Sequence, residues 1–382
     1  MKINIGVIFG GKSVEHEISV ITALQAMDNI NSEKYEIIPI YITKDLVWYT
    51  GGMLRYIDSY KDFRLIDRYA TKVNLVNING RFILQKTTGL KREVKQIHLA
   101  FPIVHGKGTE DGTIQGYLST LGIPCVGSDV YASSIGQDKI FTKQLLEDND
   151  VPITKYVWFY DVDYLTDKEN LYNKINKLDY PLILKPSRLG SSIGIELITR
   201  KEELDSAINN CLKYDERFLI EEYIENKKEY NCAVIGSYDK MQTSTIEEII
   251  NENGICTYQD KYTLETDDNP KLKKIYPAQI SKELLSDIEN YSKKVYRLLC
   301  AKGCLRVDFL YDSKKKKLYI DEVNTIPGYF SHHLWPEKNI DYKELMDKMI
   351  DEAIDKTRNK KQLVLDSEIL SNLKTKDVRE LK

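Results

Sequence analysis

Apolar residues recur in this chain with two periods. From Ile3 to Phe9 they run almost unbroken, from about Glu15 to Met27 they return at helical spacing, and Tyr35 to Ile42 is a second compact apolar run. His98 to Val104 then reads as a strand and Thr113 to Leu121 as a helix. Strands alternating with helices of this length predict one open α/β unit. Between Tyr49 and Lys95 the pattern weakens, and hairpin-like insertions are expected. Further on, Asp138 to Leu146 opens a helix, and the strands Pro181 to Lys185 and Phe218 to Ile220 flank a Gly-rich turn. Ser281 caps a helix whose Leu284, Leu285, Ile288, Tyr291, Val295, Leu298 and Leu299 follow the helical period. Two apolar runs come next, carrying Arg306-Val307-Asp308 and Asp321-Glu322-Val323-Asn324 and joined by the basic stretch Asp312 to Lys317, and they read as a strand pair. The tail from Asn359 is highly charged, with Ile369, Leu370 and Leu373 as a modest helical stripe, and reads as a docked or frayed terminus. No internal repeat is visible.

Composition narrows the class. A chain of 382 residues holds two or three domains with real cores. With 55 basic against 58 acidic residues and no long basic block, there is no electrostatic footprint for nucleic acid, though a small anionic substrate remains open. Met1-Lys2-Ile3-Asn4-Ile5 enters a strand directly, and no later run is long enough to span a bilayer, so the expectation is a cytoplasmic protein with no membrane partner. The six cysteines, Cys125, Cys211, Cys232, Cys256, Cys300 and Cys304, lack any CxxC spacing, and the expectation is reduced, buried thiols.

The strand pair carries the most chemistry. Side chains two apart on a strand share a face, so Arg306 with Asp308, and Glu322 with Asn324, point the same way across the hairpin. That makes a wall of oxygens with one guanidinium. Hard cations such as Mg2+ take carboxylate and amide oxygens and share their sites with phosphates, so a metal nucleotide is the first ligand to consider. A half-solvated sheet face explains the same alternation. Lys185-Pro186 ends a strand before Gly190-Ser191-Ser192-Ile193-Gly194, where small residues let backbone amides close on an anion that the lysine neutralises. GxxxxGK[ST] is absent, and a plain flexible turn accounts for the glycines equally well. Lys139 joins this reading if folding brings it near Lys185. In Gly10-Gly11-Lys12-Ser13-Val14-Glu15 a strand meets a helix start, where the carboxylate either caps the helix or meets a substrate ammonium. His105 begins the loop to Gly112 at a strand's carboxyl end, where open α/β sheets bind ligands, or in a simple turn before a helix. Asn324-Thr325-Ile326-Pro327-Gly328 is either a Pro-Gly turn or a way of aiming the Gly328 amide at an oxyanion beside Arg306.

Read in order, these pieces resemble the D-alanine-D-alanine ligase family of the ATP-grasp superfamily, from residue 3 to about 355. The matching segments are GGKSVEHEIS at 10 to 19, HGKGTEDGTIQG at 105 to 116, GQDKIFTK at 136 to 143 and LKPSRLGSSIGI at 184 to 195. EEYIENKKE at 221 to 229, DKY at 260 to 262, RVDF at 306 to 309 and DEVNTIPG at 321 to 328 complete the set. The resemblance implies an α/β fold of ATP-grasp type: an N-terminal substrate-binding domain over 1–138, a central ATP-grasp domain over 139–230, a C-terminal catalytic domain over 231–358 and a charged tail over 359–382. It implies ATP and two Mg2+ ions, or Mn2+ in their place, a cytoplasmic homodimer, and ligation of D-alanine to a second D-amino acid for peptidoglycan precursor synthesis. By position, Lys139, Lys185 and Ser192 meet ATP phosphates, with Lys261 reaching the γ-phosphate. Glu221, Glu222, Tyr223 and Ile224 meet adenine and Glu229 meets ribose. Asp308, Glu322 and Asn324 hold the metals. Glu15 takes the first substrate's ammonium with His105 near its carboxylate, Ser191, Tyr262 and Glu15 form a hydrogen-bonded trio that closes a mobile loop, and Arg306 with the Gly328 amide stabilises the oxyanion.

The departures concern the acceptor. His333 stands where the family has a serine that, with the residue at Leu334, holds the second substrate's carboxylate; an imidazolium binds a carboxylate too, or changes the acceptor. Phe330 replaces a small residue and is expected to reshape the same pocket. Asp260 stands where alanine is usual, Thr109 replaces a glycine, and one extra residue lies between Glu221 and Glu229. A relative using D-serine, D-lactate or another acceptor, in a natural-product pathway for example, is the nearest alternative; Lys261 and Tyr262 argue against the lactate branch. A non-catalytic nucleotide-binding relative is the alternative from another class.

Overall fold

The computed structural model describes residues 2–90, 92–250 and 273–358. Three sheets organise them. In the first, the strand Ile3–Gly10 pairs in parallel with Tyr35–Ile42 on one side and Leu99–Ile103 on the other. Parallel neighbours need crossovers, and the helix His16–Asn29 is the first of them. Ile5, Val7, Ile8 and Phe9 are all fully buried because both faces of this central strand are covered, which is why its sequence reads as a run. The segment expected to form hairpin-like insertions does form consecutive antiparallel hairpins, and they extend the same sheet. Trp48–Thr50, Thr71–Ile78, Arg81–Lys86 and Glu93–Ile97 are added antiparallel, one after another, to complete seven strands. These outer strands bury one face only, Val73 and Leu75 inward against Lys72 and Asn74 outward, so their apolar signal is half as dense.

The second sheet is antiparallel and runs in space Glu196–Ile198, Leu182–Pro186, Arg217–Glu222, Tyr156–Tyr160. Its core forms under the helices Lys168–Ile175 and Leu204–Cys211, where Leu171, Ile175, Leu204 and Ile208 meet Leu184, Phe218 and Ile220. The third sheet runs Lys273–Ile275, Glu247–Ile250, Lys227–Ser237, Gly303–Asp312, Lys317–Asn324, with Lys240–Thr243 also pairing the long strand. One face of it packs on the helix Lys282–Leu298 through Ile288, Val295 and Tyr296, and the Ser281 hydroxyl accepts from the Leu284 amide at 3.2 Å as the cap expected there.

The third sheet joins the first through a shared apolar seam. Phe330, Leu334, Trp335, Met346 and Ile350 are fully buried and belong to the same cluster as the N-terminal core. Each such side chain stabilises by about 1.5–3 kcal/mol on burial, so the seam outweighs any single polar contact between these parts. Phe330 is fully buried and faces Phe101 with ring centroids 5.6 Å apart, so its ring fills the seam. No helix among the described residues is long and apolar enough to cross a membrane. Cys125, Cys211, Cys232, Cys300 and Cys304 are free thiols, though Cys300 is exposed, and Cys256 lies outside the described residues.

Candidate active site

Pairing of the last two strands sets the site. Arg306 lies opposite Asn324 and Asp308 opposite Glu322, so all four share one face. A bulge follows: the register steps from Asp308 with Glu322 to Phe309 with Ile320, leaving Asp321 as the extra residue. Asp321 thereby reaches Lys185, Oδ1 to Nζ 2.7 Å. The Arg306 guanidinium grips Asp308 with two parallel bonds, Nε to Oδ1 at 2.6 Å and Nη2 to Oδ2 at 2.7 Å, and Asn324 Nδ2 donates to Asp308 Oδ2 at 3.1 Å. Burial works against the charge on Arg306, but Asp308, Glu322 and Glu247 outweigh it and keep the guanidinium firmly protonated. Among the described residues no three His, Cys, Asp or Glu side chains form a metal cluster. The set here is two carboxylates and an amide, all hard oxygen donors, and it fits a magnesium ion whose other positions are taken by phosphate and water.

Two lysines converge on that face. Asp138 caps the helix Lys139–Asp148, accepting from the Ile140 and Phe141 amides at 3.0 and 3.2 Å, and is itself fixed by the Ser187 hydroxyl at 2.7 Å and Arg217 Nη1 at 2.8 Å. This places Lys139 Nζ 2.7 Å from the Leu189 carbonyl, in the loop after Lys185, and 3.7 Å from Glu322. Lys185 sits between Glu221 and Asp321, 2.7 Å from each. The other oxygen of Glu221 takes Lys143 Nζ at 2.8 Å and the Thr154 hydroxyl. The result is a buried chain of alternating charge, Lys143, Glu221, Lys185, Asp321. Burial alone would lower the Lys185 ammonium, but Asp321 and Glu221 hold it well above the usual lysine range. With its carboxylate consumed, Glu221 has only its main chain to offer a base. Glu222 turns outward to Lys155 at 3.2 Å, the Tyr223 amide donates to Pro181 O at 2.9 Å, and Ile224 is half-buried where the chain passes between the two sheets. Glu229 shares a face of the strand Lys227–Ser237 with Asn231, the direct partner of Asp308, and bonds Lys227 at 2.8 Å.

Glu15 closes the opposite side. Its carboxylate makes no cap bond to the helix that follows; the Ser191 hydroxyl donates to it instead. Two glycines leave room for it: a Cβ on Gly106 would come within 2.8 Å of Glu15 Oε2, and one on Gly190 within 3.0 Å of Oε1. Ser191 and Ser192 both take left-handed backbone, φ 53° and 59°, a conformation that costs about 1–3 kcal/mol per non-glycine residue and clusters at ligand clamps. His105 is buried, Nε2 3.3 Å from the Thr22 hydroxyl and Nδ1 3.8 Å from Glu110. Glu110 in turn accepts from the Gly106 and Ile326 amides, both at 3.1 Å, and ties the histidine loop to the turn ending at Gly328. Among the described residues nothing outside its chain neighbours lies within 4 Å of where a Gly328 Cβ would stand. His333 Nε2 meets Glu247 Oε1 at 2.9 Å. The Leu334 side chain is buried in the seam and its carbonyl accepts from the Thr245 amide at 3.1 Å. Lys261 and Tyr262 lie outside the described residues.

The family profile described as "D-ala D-ala ligase N-terminus" matches residues 4–128 and that described as "D-ala D-ala ligase C-terminus" matches 145–351. The chain belongs to the D-alanine-D-alanine ligase family. The D-alanine–D-alanine ligase of Thermosipho melanesiensis is 36% identical over 374 residues, 96% of this chain and 98% of that one. That of Acetivibrio thermocellus is 39% identical over 363 residues, 91% and 95% of the two chains. Among solved structures, the D-alanine-D-alanine ligase from Coxiella burnetii superposes with a TM-score of 0.81 at 25% identity, covering 97% of this chain and 99% of that one. VanG D-Ala:D-Ser ligase from Enterococcus faecalis gives 0.78 at 31% identity over 92% and 100%. The arrangement of sheets is that of the ATP-grasp fold.

Three residues of this D-alanine-D-alanine ligase family member escaped the reading of its sequence. Lys143 lies four residues after Lys139 and so on the same side of one helix, a spacing that could have flagged it. Asp321 and Glu247 carried no such signal. A pH effect follows from Glu15. Burial, with Glu110 and Glu322 adding to it, raises its carboxyl above the usual range against the Ser191 bond and His105. On the reading that Glu15 receives the first substrate's ammonium, the attracting carboxylate exists only above a raised pKa, and the KM of that substrate should climb as pH falls through it. In Glu15→Gln the KM should be high and flat across that window; a matching acid limb in the variant would remove Glu15 from this role.

Proposed function

We propose that this chain is an ATP-dependent ligase that joins D-alanine to a second D-amino acid, D-alanine in the first instance, in a cytoplasmic, peptidoglycan-directed reaction carried out by a homodimer. The observation that supports this most is the shared face of Arg306, Asp308, Glu322 and Asn324 opposite the Lys139 and Lys185 loop. In the first step a D-alanine carboxylate attacks the γ-phosphorus of ATP and ADP leaves; in the second, the acceptor's amine attacks the acyl carbon and inorganic phosphate leaves with the electron pair of the C–O bond. Protein groups do little covalent work in such transfers, so positioning and charge neutralisation carry the rate. Glu15 and His105 orient the first D-alanine. Lys139 and Lys185 draw the phosphates, with the Ser192 loop folding over them, and the main chain at Glu221 to Ile224 and the Glu229 carboxylate receive the nucleoside. Asp308, Glu322 and Asn324 would hold Mg2+, which when bound neutralises phosphate charge. Arg306 and the Gly328 amide face the oxyanion of the second step. Residues 1–138, 139–230 and 231–358 then act as substrate, central and catalytic domains.

His333 in place of the family's serine, together with the likeness to a D-Ala:D-Ser ligase, favours D-serine as a second acceptor. Phosphate release measured with ATP, Mg2+ and pairs of D- and L-amino and hydroxy acids tests both readings. Release that needs D-alanine plus a D-amino acid, with dipeptide in equal amount, is the expected result. No release with any pair would leave the nucleotide-binding, non-catalytic reading standing.

A further inference from the structure

The row of side chains that includes Asp308 and Glu322 continues beyond them. Across the third sheet Glu247 is the direct partner of Asn231, Asn231 of Asp308, and Asp308 of Glu322. Directly paired residues share a face, so these four form one line over four strands. At 4.7–4.9 Å per strand, Glu247 stands roughly 10 Å from Asp308. It is a buried end to the line: the side chain is 3% exposed, Asn231 Nδ2 donates to Oε2 at 3.1 Å and His333 Nε2 bonds Oε1 at 2.9 Å. His333 is 31% exposed, and its Nδ1 has no hydrogen-bond partner among the described residues. The Tyr276 ring stands edge-on to it at 5.6 Å and His332 at 6.2 Å, the latter stacked on Tyr342. Burial works to raise the Glu247 carboxyl, but His333, Lys274 and Arg306 together hold it below the usual range, so the group is a carboxylate.

A carboxylate bonded to one imidazole nitrogen fixes the ring's orientation, which turns the other nitrogen away from the pair and toward whatever lies beside it. That nitrogen lies on the turn Gly328–Leu334, and an amino acid whose amine attacks beside Arg306 and Gly328 carries its α-carboxylate two bonds further on. We propose that Glu247 is a positioning residue for the acceptor: it clamps His333 through Nε2 so that Nδ1 is presented to the acceptor's α-carboxylate, and the pair selects acceptors by that carboxylate. This rests on the ligase reading above. An ion pair that merely braces the turn is the competing account.

A competition assay separates them. Enzyme, ATP, Mg2+ and D-alanine are mixed with D-alaninamide, and D-alanyl-D-alanine and D-alanyl-D-alaninamide are counted by mass. Their ratio is internal to each sample, so a variant that folds poorly loses product of both kinds and leaves the ratio unmoved. His333→Ala should shift the ratio toward the amide by about a hundredfold, and Glu247→Gln, which keeps the shape and a hydrogen bond but loses the charge, by about tenfold, the order expected for one charge-assisted bond. A Glu247→Gln ratio equal to wild type beside a collapsed His333→Ala ratio would overturn the role of Glu247. Unchanged ratios in both variants would overturn the subsite altogether. Failure of the wild-type enzyme to make either product would instead bring down the ligase reading, and this proposal with it.

Discussion

Glu322→Gln is expected to reduce phosphate release by about a thousandfold while leaving the fold untouched, a loss of the size seen when a preorganised charge at a transition state is removed. The argument is geometric. Glu322 is the direct partner of Asp308 across the hairpin and lies 3.7 Å from Lys139. Its side chain is 28% exposed, so it is no core residue, and the neutral isostere leaves the strand pairing intact. Substitutions at such positions usually change stability by no more than about 0.5 kcal/mol. The measurement is steady-state phosphate release against Mg2+ concentration, with thermal unfolding of the same samples. Glu93→Gln, on the exposed carboxylate beside Arg81 in the outer strands of the first sheet, serves as the control with activity within a few-fold of wild type. Turnover above a tenth of wild type in Glu322→Gln would show that the carboxylate has no part in the reaction.

What the sequence displayed, and what it hid, divides along physical lines. Period-two alternation put Arg306, Asp308, Glu322 and Asn324 on one face, and the register agrees because pairing between Arg306 and Asp308 is regular. One residue later the bulge breaks the parity, and Asp321 swings to Lys185, which strict alternation could not foresee. The central strands of the first sheet were legible because both faces are buried, whereas the outer strands bury one face and could be read only as hairpin-like insertions, without their place in the sheet. Glu247 stayed invisible for another reason: nothing in the residues around it distinguishes a sheet-edge carboxylate from one clamping His333, which lies 86 positions away. The contact of Phe330 with Phe101 was likewise hidden, because the left-handed backbone of Tyr329, Phe330 and Ser331, φ 52°, 52° and 48°, turns the ring into the seam in a way that residue type alone does not signal.

Lys185→Met should destabilise the protein by about 3–5 kcal/mol, the range for breaking a buried ion pair from one side, and abolish turnover as well. Methionine keeps most of the stem's volume, so the loss is electrostatic. Glu221 keeps Lys143, but Asp321 loses the ammonium 2.7 Å away and faces Glu221 without a cation between them. In the native protein burial works to raise the Asp321 carboxyl, while Lys185 and Lys143 hold it far below the usual range. A depressed carboxyl contributes stability that is present above its unfolded pKa and is lost as pH falls through the folded one. The gap between wild type and Lys185→Met should therefore be full at neutral pH and close on acidification below the ordinary carboxylate range. Adding Asp321→Asn to Lys185→Met removes the stranded charge, and the double variant should regain a large part of the stability with none of the activity. Denaturant unfolding of the four proteins of this cycle gives the coupling directly. Additive effects of the two substitutions would mean that Lys185 and Asp321 do not act as a pair, and the charge chain linking the second sheet to the third would lose its physical basis.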